Sequence, residues 1–149
     1  MLYDYYPFGG LQEDCLATAM ATQAKGHEVH IFTRTWKGPQ PNEIQTHLLG
    51  KKGWSNTSRN DHFFRDLQQT LPRHQLSGVV AFNRILNPDI YFAADPCYVA
   101  RIANKSLWHR LSLRHRYYKK LEQQLFNDAS SMEILVLTER VIGEFHSHY

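Results

Sequence analysis

The sequence predicts an α/β protein: a Rossmann-like, mostly parallel sheet flanked by helices, with a first strand that is cut short. Three observations carry that expectation. Helical and strand-like segments alternate along the chain. "HEVHIFT" follows a helix and its closing Gly26 with almost no linker, which is half of a β-α-β crossover. "GVVAF" and "IYFA" are short continuous apolar runs, as strands covered on both faces should be. At 149 residues and 42% hydrophobic content, positions 1–149 suit a single domain with one core.

The elements follow in order. Only "MLYD" and a tyrosine pair stand ahead of the loop "PFGG", too little for a full buried strand. Leu11 to Lys25 repeats Leu11, Cys15, Ala19 and Met20 at helical spacing, with alanine between and Gly26 as the stop. His27 to Thr33 and Ile44 to Leu49 read as strands around the loop "TWKGPQPNE". After "GKKGWSNTS", Ser58 and Asp61 form an approximate capping box for a helix carrying Phe63, Phe64, Leu67 and Leu71, which Pro72 ends. Gly78 to Phe82 and Ile90 to Ala93 are strands. Ala100 to about Phe126 is strongly helical. Glu133 to Thr138 is a last strand, and a helix begins at Glu139.

Several function classes lose their usual support. The fingerprints G-x-G-x-x-G, G-x-x-x-x-G-K-[ST] and G-x-S-x-G are absent. None of the nine histidines lies in an H-E-x-x-H frame, and His146 and His148 near the chain end read as solvated, so no metal or cofactor is expected. Cys15 and Cys97 form no C-x-x-C pair and read as small buried thiols of a reducing compartment. No apolar run approaches the roughly 20 residues that span a bilayer.

In a parallel sheet, ligands bind beyond the carboxyl ends of the strands, so the loops that follow strands are the places for chemistry. Gly9 and Gly10 head a helix, where free N–H groups favour an anion and missing side chains let one approach. They could equally make only a tight turn. Glu13 complements the helix dipole, whereas Asp14 is open to either role. Asp95 follows a strand directly; it is a functional carboxylate or an Asx turn ahead of Pro96.

The segment from about 98 to 126 is basic and amphipathic. Arg101, Lys105, Arg110, Arg114, Arg116, Lys119 and Lys120 stand against one acid, Glu122. Leu107, Leu111, Tyr118, Leu121 and Leu125 share a helical face, with Trp108, Tyr117 and Phe126 on its flanks. Such a helix can lie on an anionic membrane, bind nucleic acid, or simply pack its leucines and solvate its charges.

"YYPFGGLQED", "KGHEVHIFTRTW", "VVAFNR", "DIYFAADPCY" and "LRHRYYKKLE" occur in that order. Together they resemble the N-terminal half of the lipopolysaccharide core glucosyltransferases that act on inner-core heptose. These are GT-B-fold members of the retaining glycosyltransferase family 4. The resemblance implies an acceptor-side domain, with glucose moving from UDP-glucose to the heptose of the core. It implies that Gly9 and Gly10 face the donor diphosphate and sugar, and that Asp14 and Asp95 contact substrate hydroxyls. It implies peripheral attachment to the inner face of the cytoplasmic membrane through Arg101, Lys105, Trp108, Arg110, Arg114, Arg116, Lys119 and Lys120, with no nucleic acid as partner. Lys51, Lys52 and Arg59 could meet core phosphates, or be a solvated loop. The family's donor-binding half, with its catalytic groups, has no counterpart here, so the chain is expected to be inactive by itself. A stand-alone membrane-surface or nucleic-acid binding module is the alternative.

Overall fold

The computed structural model describes residues 1–103, 112–127 and 131–149. Contacts group them into two units, Met1–Ser77 and Gly78–Tyr149.

In the first unit, strand β1 (Asp4–Tyr5) leads through helix α1 (Gly10–Ala24) to β2 (His30–Thr33) and, one residue on, β3 (Thr35–Trp36). β1 pairs with β3 in parallel, Asp4 against Thr35. β2 pairs in parallel with β4 (Gln45–Leu48), Phe32 against His47. Alternate carbonyls of one strand point to opposite sides, and the two pairings use both. Val29 and Thr33 accept from Gln45 and Leu49, while Phe32 accepts from Leu2 at 3.0 Å. Short as the opening segment is, Leu2 to Tyr5 is therefore paired along its length, and Leu2 is wholly buried.

α1 forms one residue earlier than its apolar spacing suggests, and Gly26, at φ +88°, follows its end. Ala19 packs with Ile31 and Ile44, and Leu16, Val29 and Trp36 border them. Met20, read as part of the same stripe, is exposed. Its spacing puts it one residue beyond Ala19, off the face that meets the strands.

Helix α2 runs Asn56–Thr70 and presses Phe63 and Leu67 into the core. The Ser58–Asp61 capping box does not form. Ser55 is the N-cap, its Oγ accepting from the Ser58 amide at 3.1 Å. A 3-10 turn, Leu71–Arg73, with Pro72 inside it, ends the helix as expected.

In the second unit, β5 (Val80–Ala81), β6 (Ile90–Ala93) and β7 (Glu133–Val136) form a parallel sheet in that order. Helices α3 (Tyr98–Ala103), α4 (Leu113–Asn127) and α5 (Glu139–His146) complete it. Phe126 gathers Tyr91, Phe145 and Tyr149, with ring centroids 6.0, 4.7 and 4.8 Å away.

The expectation of one helix from Ala100 to Phe126 needs correction. Ser112 is a bend whose Oγ accepts from the His115 amide at 3.1 Å, so α4 starts afresh behind its own cap. The serine competes locally for amides that a continuous helix would use, which apolar periodicity does not reveal.

Candidate functional site

The first candidate site lies where β1 gives way to α1. Phe8 adopts a left-handed φ of +71° and is 92% exposed, turning the chain sharply into the helix. Gly9 is the N-cap and makes no side-chain cap. The two glycines then differ. A Cβ on Gly9 would lie 2.1 Å from Gln12 Oε1 and 2.7 Å from Tyr6 Cε2, so packing alone demands glycine there. Gln12 is buried and donates to the Asp4 carbonyl at 3.0 Å, which locks the turn onto the strand.

A Cβ on Gly10 would meet nothing within 4 Å. Fold and packing leave that position open, beside first-turn amides that a helix cannot satisfy internally. Asp14 is exposed and lies on the same helical face four residues on. The structure thus brings Gly9, Gly10 and Asp14 together on one loop and helix. An opening of this kind, floored by backbone N–H groups and flanked by a carboxylate, can take an anionic group with a hydroxylated neighbour.

Beneath the loop, Arg34 is buried and spreads its guanidinium over several partners. It donates to Asp4 Oδ2 at 2.5 Å, Asn60 Oδ1 at 2.9 Å and the Tyr3 carbonyl at 3.2 Å. Burial would raise the Asp4 carboxyl. Hydrogen bonds from Arg34 and Thr35 and the charges of Arg34 and Lys51 outweigh it and hold Asp4 below the usual carboxylate range. The basic loop is also tied inward: Lys51 to Asp4 at 3.6 Å, Lys52 to Asp66 at 3.0 Å, and Arg59 to the Gly53 carbonyl at 3.0 Å.

Asp95 belongs to the second unit. It follows β6 and is more than half exposed, 3.4 Å from Arg84 Nη1. Arg84 also donates to the Pro96 carbonyl at 2.8 Å and to Glu122 Oε1 at 2.8 Å. Glu122 is the hub and is 0% exposed. Its carboxylate also accepts from the backbone amides of Tyr98 at 2.7 Å and Val99 at 3.2 Å, and from the Tyr149 hydroxyl at 3.1 Å. The only acid in the basic segment is therefore an internal cap for α3, and it fixes the arginine that faces Asp95. Burial chiefly, with Glu122 and Asp95, pushes the neighbouring Tyr91 hydroxyl up to about 12 against the pull of Arg84. Burial also raises the thiols of Cys15 and Cys97, as inert buried cysteines should be.

In the sequence Glu122 stands out only as the one acid of the basic segment, yet its position signals more. It shares its helical face with Tyr118 and Leu125, at spacings of four and three, so a carboxylate on that stripe had to be buried and partnered.

A cleft of about 520 Å³ opens beyond the carboxyl ends of β6 and β7, with Pro96, Ala100, Arg101, Thr138 and Glu144 among its walls. That is the ligand position of parallel sheets. Asp95 is adjacent in the chain but does not line it. On α4, Arg114, Arg116, Lys119 and Lys120 are exposed, while Leu125 and Glu122 face inward. Arg101 is exposed on α3. Lys105, Trp108 and Arg110 lie outside the described residues.

Parallel strands edged by helices, with a glycine-led helix straight after the first strand, make a Rossmann-like α/β arrangement. The likeness becomes particular on comparison. Over 149 residues the chain is 36% identical to the lipopolysaccharide glucosyltransferase WaaG of Escherichia coli strain K12, a match covering 99% of this chain and 40% of that protein. It also matches the crystal structure of WaaG, a glycosyltransferase involved in lipopolysaccharide biosynthesis, with a TM-score of 0.93 and 34% identity. That match covers 100% of this chain and 42% of the other. No family model matches. The chain thus spans about two fifths of the length of the relative it resembles, and the similarity runs through its whole described fold.

Proposed function

We propose that this chain is the N-terminal, acceptor-side portion of a retaining glucosyltransferase that moves glucose from UDP-glucose to heptose of the lipopolysaccharide inner core. The observation that carries the reading is the whole-chain likeness to the glucosyltransferase WaaG in sequence and fold. The open backbone at Gly10 supports it locally.

In this reading the first turn of α1 presents its amides to the donor diphosphate, and Gly10 leaves room for the sugar. Retention requires the acceptor hydroxyl on the face that the leaving diphosphate occupies, so both must be held together. Asp14 and Asp95 hold sugar hydroxyls, Asp95 being aimed by Arg84. Catalytic groups and most donor contacts belong to a second, donor-binding half of such an enzyme. α4 lays Arg114, Arg116, Lys119 and Lys120 on the anionic inner face of the cytoplasmic membrane, with Arg101, Lys105, Trp108 and Arg110 as further contacts. Among the described residues no helix is long and apolar enough to cross a membrane, and surface attachment needs none.

The test is a chimera in which this chain replaces the matching portion of the Escherichia coli relative. Glucose incorporation into heptose-terminated lipopolysaccharide is then measured in cells lacking the native enzyme. The chimera is expected to restore it. A folded, membrane-recovered chimera with no transfer, beside an active parent, would refute the proposal.

A further inference from the structure

Three histidines from separate segments meet on one face of the first unit. His30 opens β2, His47 is in β4, and His74 follows the 3-10 turn after α2. The β2–β4 register sets His30 against Gln45 and Phe32 against His47. With side chains alternating, all four lie on one side of the strand pair. His30 Nδ1 and His47 Nε2 are 2.9 Å apart. The His74 ring centroid lies 4.6 Å from that of His47 and 5.1 Å from that of His30. One nitrogen from each ring lies within 4.8 Å of the other two.

The surroundings suit a cation held by neutral imidazoles. Phe32, 2% exposed, makes an apolar floor, stacking on His47 at 4.5 Å and meeting His74 edge-on at 5.3 Å. Behind His30, its Nε2 lies 3.3 Å from Glu28 Oε1, and Gln45 Nε2 donates to that same oxygen at 2.6 Å. A carboxylate there takes the Nε2 proton of His30 as a hydrogen bond. The network therefore assigns the tautomer whose Nδ1 lone pair points at His47. A carboxylate orienting an imidazole so that its other nitrogen faces a metal is the usual outer support of such ligands.

We propose that His30, His47 and His74 form a binding site for a divalent transition-metal ion, with zinc the best fit. Three imidazoles with one position left to water are a known zinc donor set, whereas magnesium and calcium prefer oxygen. Tetrahedral zinc with bonds of about 2.0–2.1 Å separates its ligand nitrogens by roughly 3.3 Å. The His30–His47 contact opens by a few tenths of an ångström to admit it. His47 Nε2 gives up the proton it shares with His30 while its Nδ1 takes one up from solvent, so the ring stays neutral and its Nε2 lone pair is free for the metal. The ion then fastens β2, β4 and the segment after α2 to one another. The site is separate from the glycine loop and does not rest on the transferase reading.

The experiment uses the full chain, freed of metal by chelation and titrated with Zn2+ by calorimetry and with Co2+ by visible absorption. One Zn2+ per chain and the intense visible bands of tetrahedral Co2+ are expected. His74→Gln should lower Zn2+ affinity at least a hundredfold. Glu28→Gln, which removes no ligand, should lower it by about 10–100-fold. The pair His146→Gln and His148→Gln should leave it unchanged. The proposal is overturned if the wild type takes up no stoichiometric Zn2+, if His74→Gln binds as the wild type does, or if only the His146 and His148 changes abolish uptake. Should a histidine variant fail to fold, Glu28→Gln decides. Glu28 is 71% exposed, so the fold tolerates its loss, and an unchanged affinity there refutes the site.

Discussion

Replacing Glu122 by glutamine keeps the side chain's shape and removes its charge, which isolates what the buried carboxylate does. Oε1 accepts from Arg84 at 2.8 Å and Tyr98 N–H at 2.7 Å, and Oε2 accepts from Val99 N–H at 3.2 Å and Tyr149 at 3.1 Å. The amide nitrogen of glutamine cannot accept. Placed at Oε1 it opposes a guanidinium and a backbone amide at once. Placed at Oε2 it opposes only the Val99 amide among fixed donors, because the Tyr149 hydroxyl and the Cys97 thiol, 3.9 Å away, can both rotate to accept. The second arrangement should win, and it strands one buried donor at about 1–3 kcal/mol. Removing one partner of a buried ion pair costs about 3–5 kcal/mol. Arg84 keeps the Pro96 carbonyl at 2.8 Å and Asp95 at 3.4 Å, so the lower end applies. A total of about 4 kcal/mol is expected. Urea unfolding measures it, and hydrogen exchange at the Tyr98 and Val99 amides locates it. Adding Arg84→Met should cost less than the two single changes summed, because the stranded charge is then gone. A loss below about 1 kcal/mol, with protection of both amides unchanged, would refute the hub.

Other consequences are more local. Gly9→Ala should destabilise by about 1–3 kcal/mol through overlap with Gln12 and Tyr6, whereas Gly10→Ala should leave stability intact yet lower glucose transfer by the chimera; equal stability losses would remove the distinction. Ser55→Ala should cost about 1 kcal/mol in thermal or urea unfolding, and Ser58→Ala much less, since Ser55 is the cap. Asp4 has a depressed folded pKa, so its contribution is complete above its ordinary value of 3.8 and is lost as pH falls toward the folded value. Acid titrations of Asp4→Asn should therefore lack that part of the wild-type decline. Neutralising Arg114, Arg116 and Lys119 to glutamine should weaken binding to anionic vesicles roughly a hundredfold, at about 1 kcal/mol for each charge removed, and binding that persists would end the docking proposal.

Much of the fold was legible because its signals are local. The helix ending at Gly26, the break at Pro72 and the strand Ile90–Ala93 rest on chain stiffness and apolar runs, and the structure places them accordingly. The helix starts were less legible. Serine at 55, 58 or 112 has the same chemistry, and which one caps depends on where the following apolar face finds its core. The histidine cluster was not legible at all. Residues 30, 47 and 74 share no spacing, and only the β2–β4 register and the turn after α2 bring them together.

The basic segment shows how a buried residue can shape a surface. Its excess of positive charge reads, along the chain, as seven cations diluted by one acid. In the fold that acid is withdrawn completely, since Glu122 turns inward to cap α3 and hold Arg84. The exposed positions of α4 then comprise Leu113, Arg114, Arg116, Lys119, Lys120, Gln123 and Gln124, with no carboxylate among them. A surface of one sign attracts an anionic membrane over about a Debye length of 8–10 Å, and the exposed Leu113 offers an apolar foothold within it. The carboxylate that keeps Arg84 aimed at Asp95 thus also keeps the outer face purely cationic. In the proposed enzyme, the inward turn of Glu122 therefore aims Arg84 for sugar binding and leaves the docking face without a carboxylate. Glu122→Gln should loosen the first by removing the charged partner that pins Arg84 Nε, while leaving the charge of the second untouched.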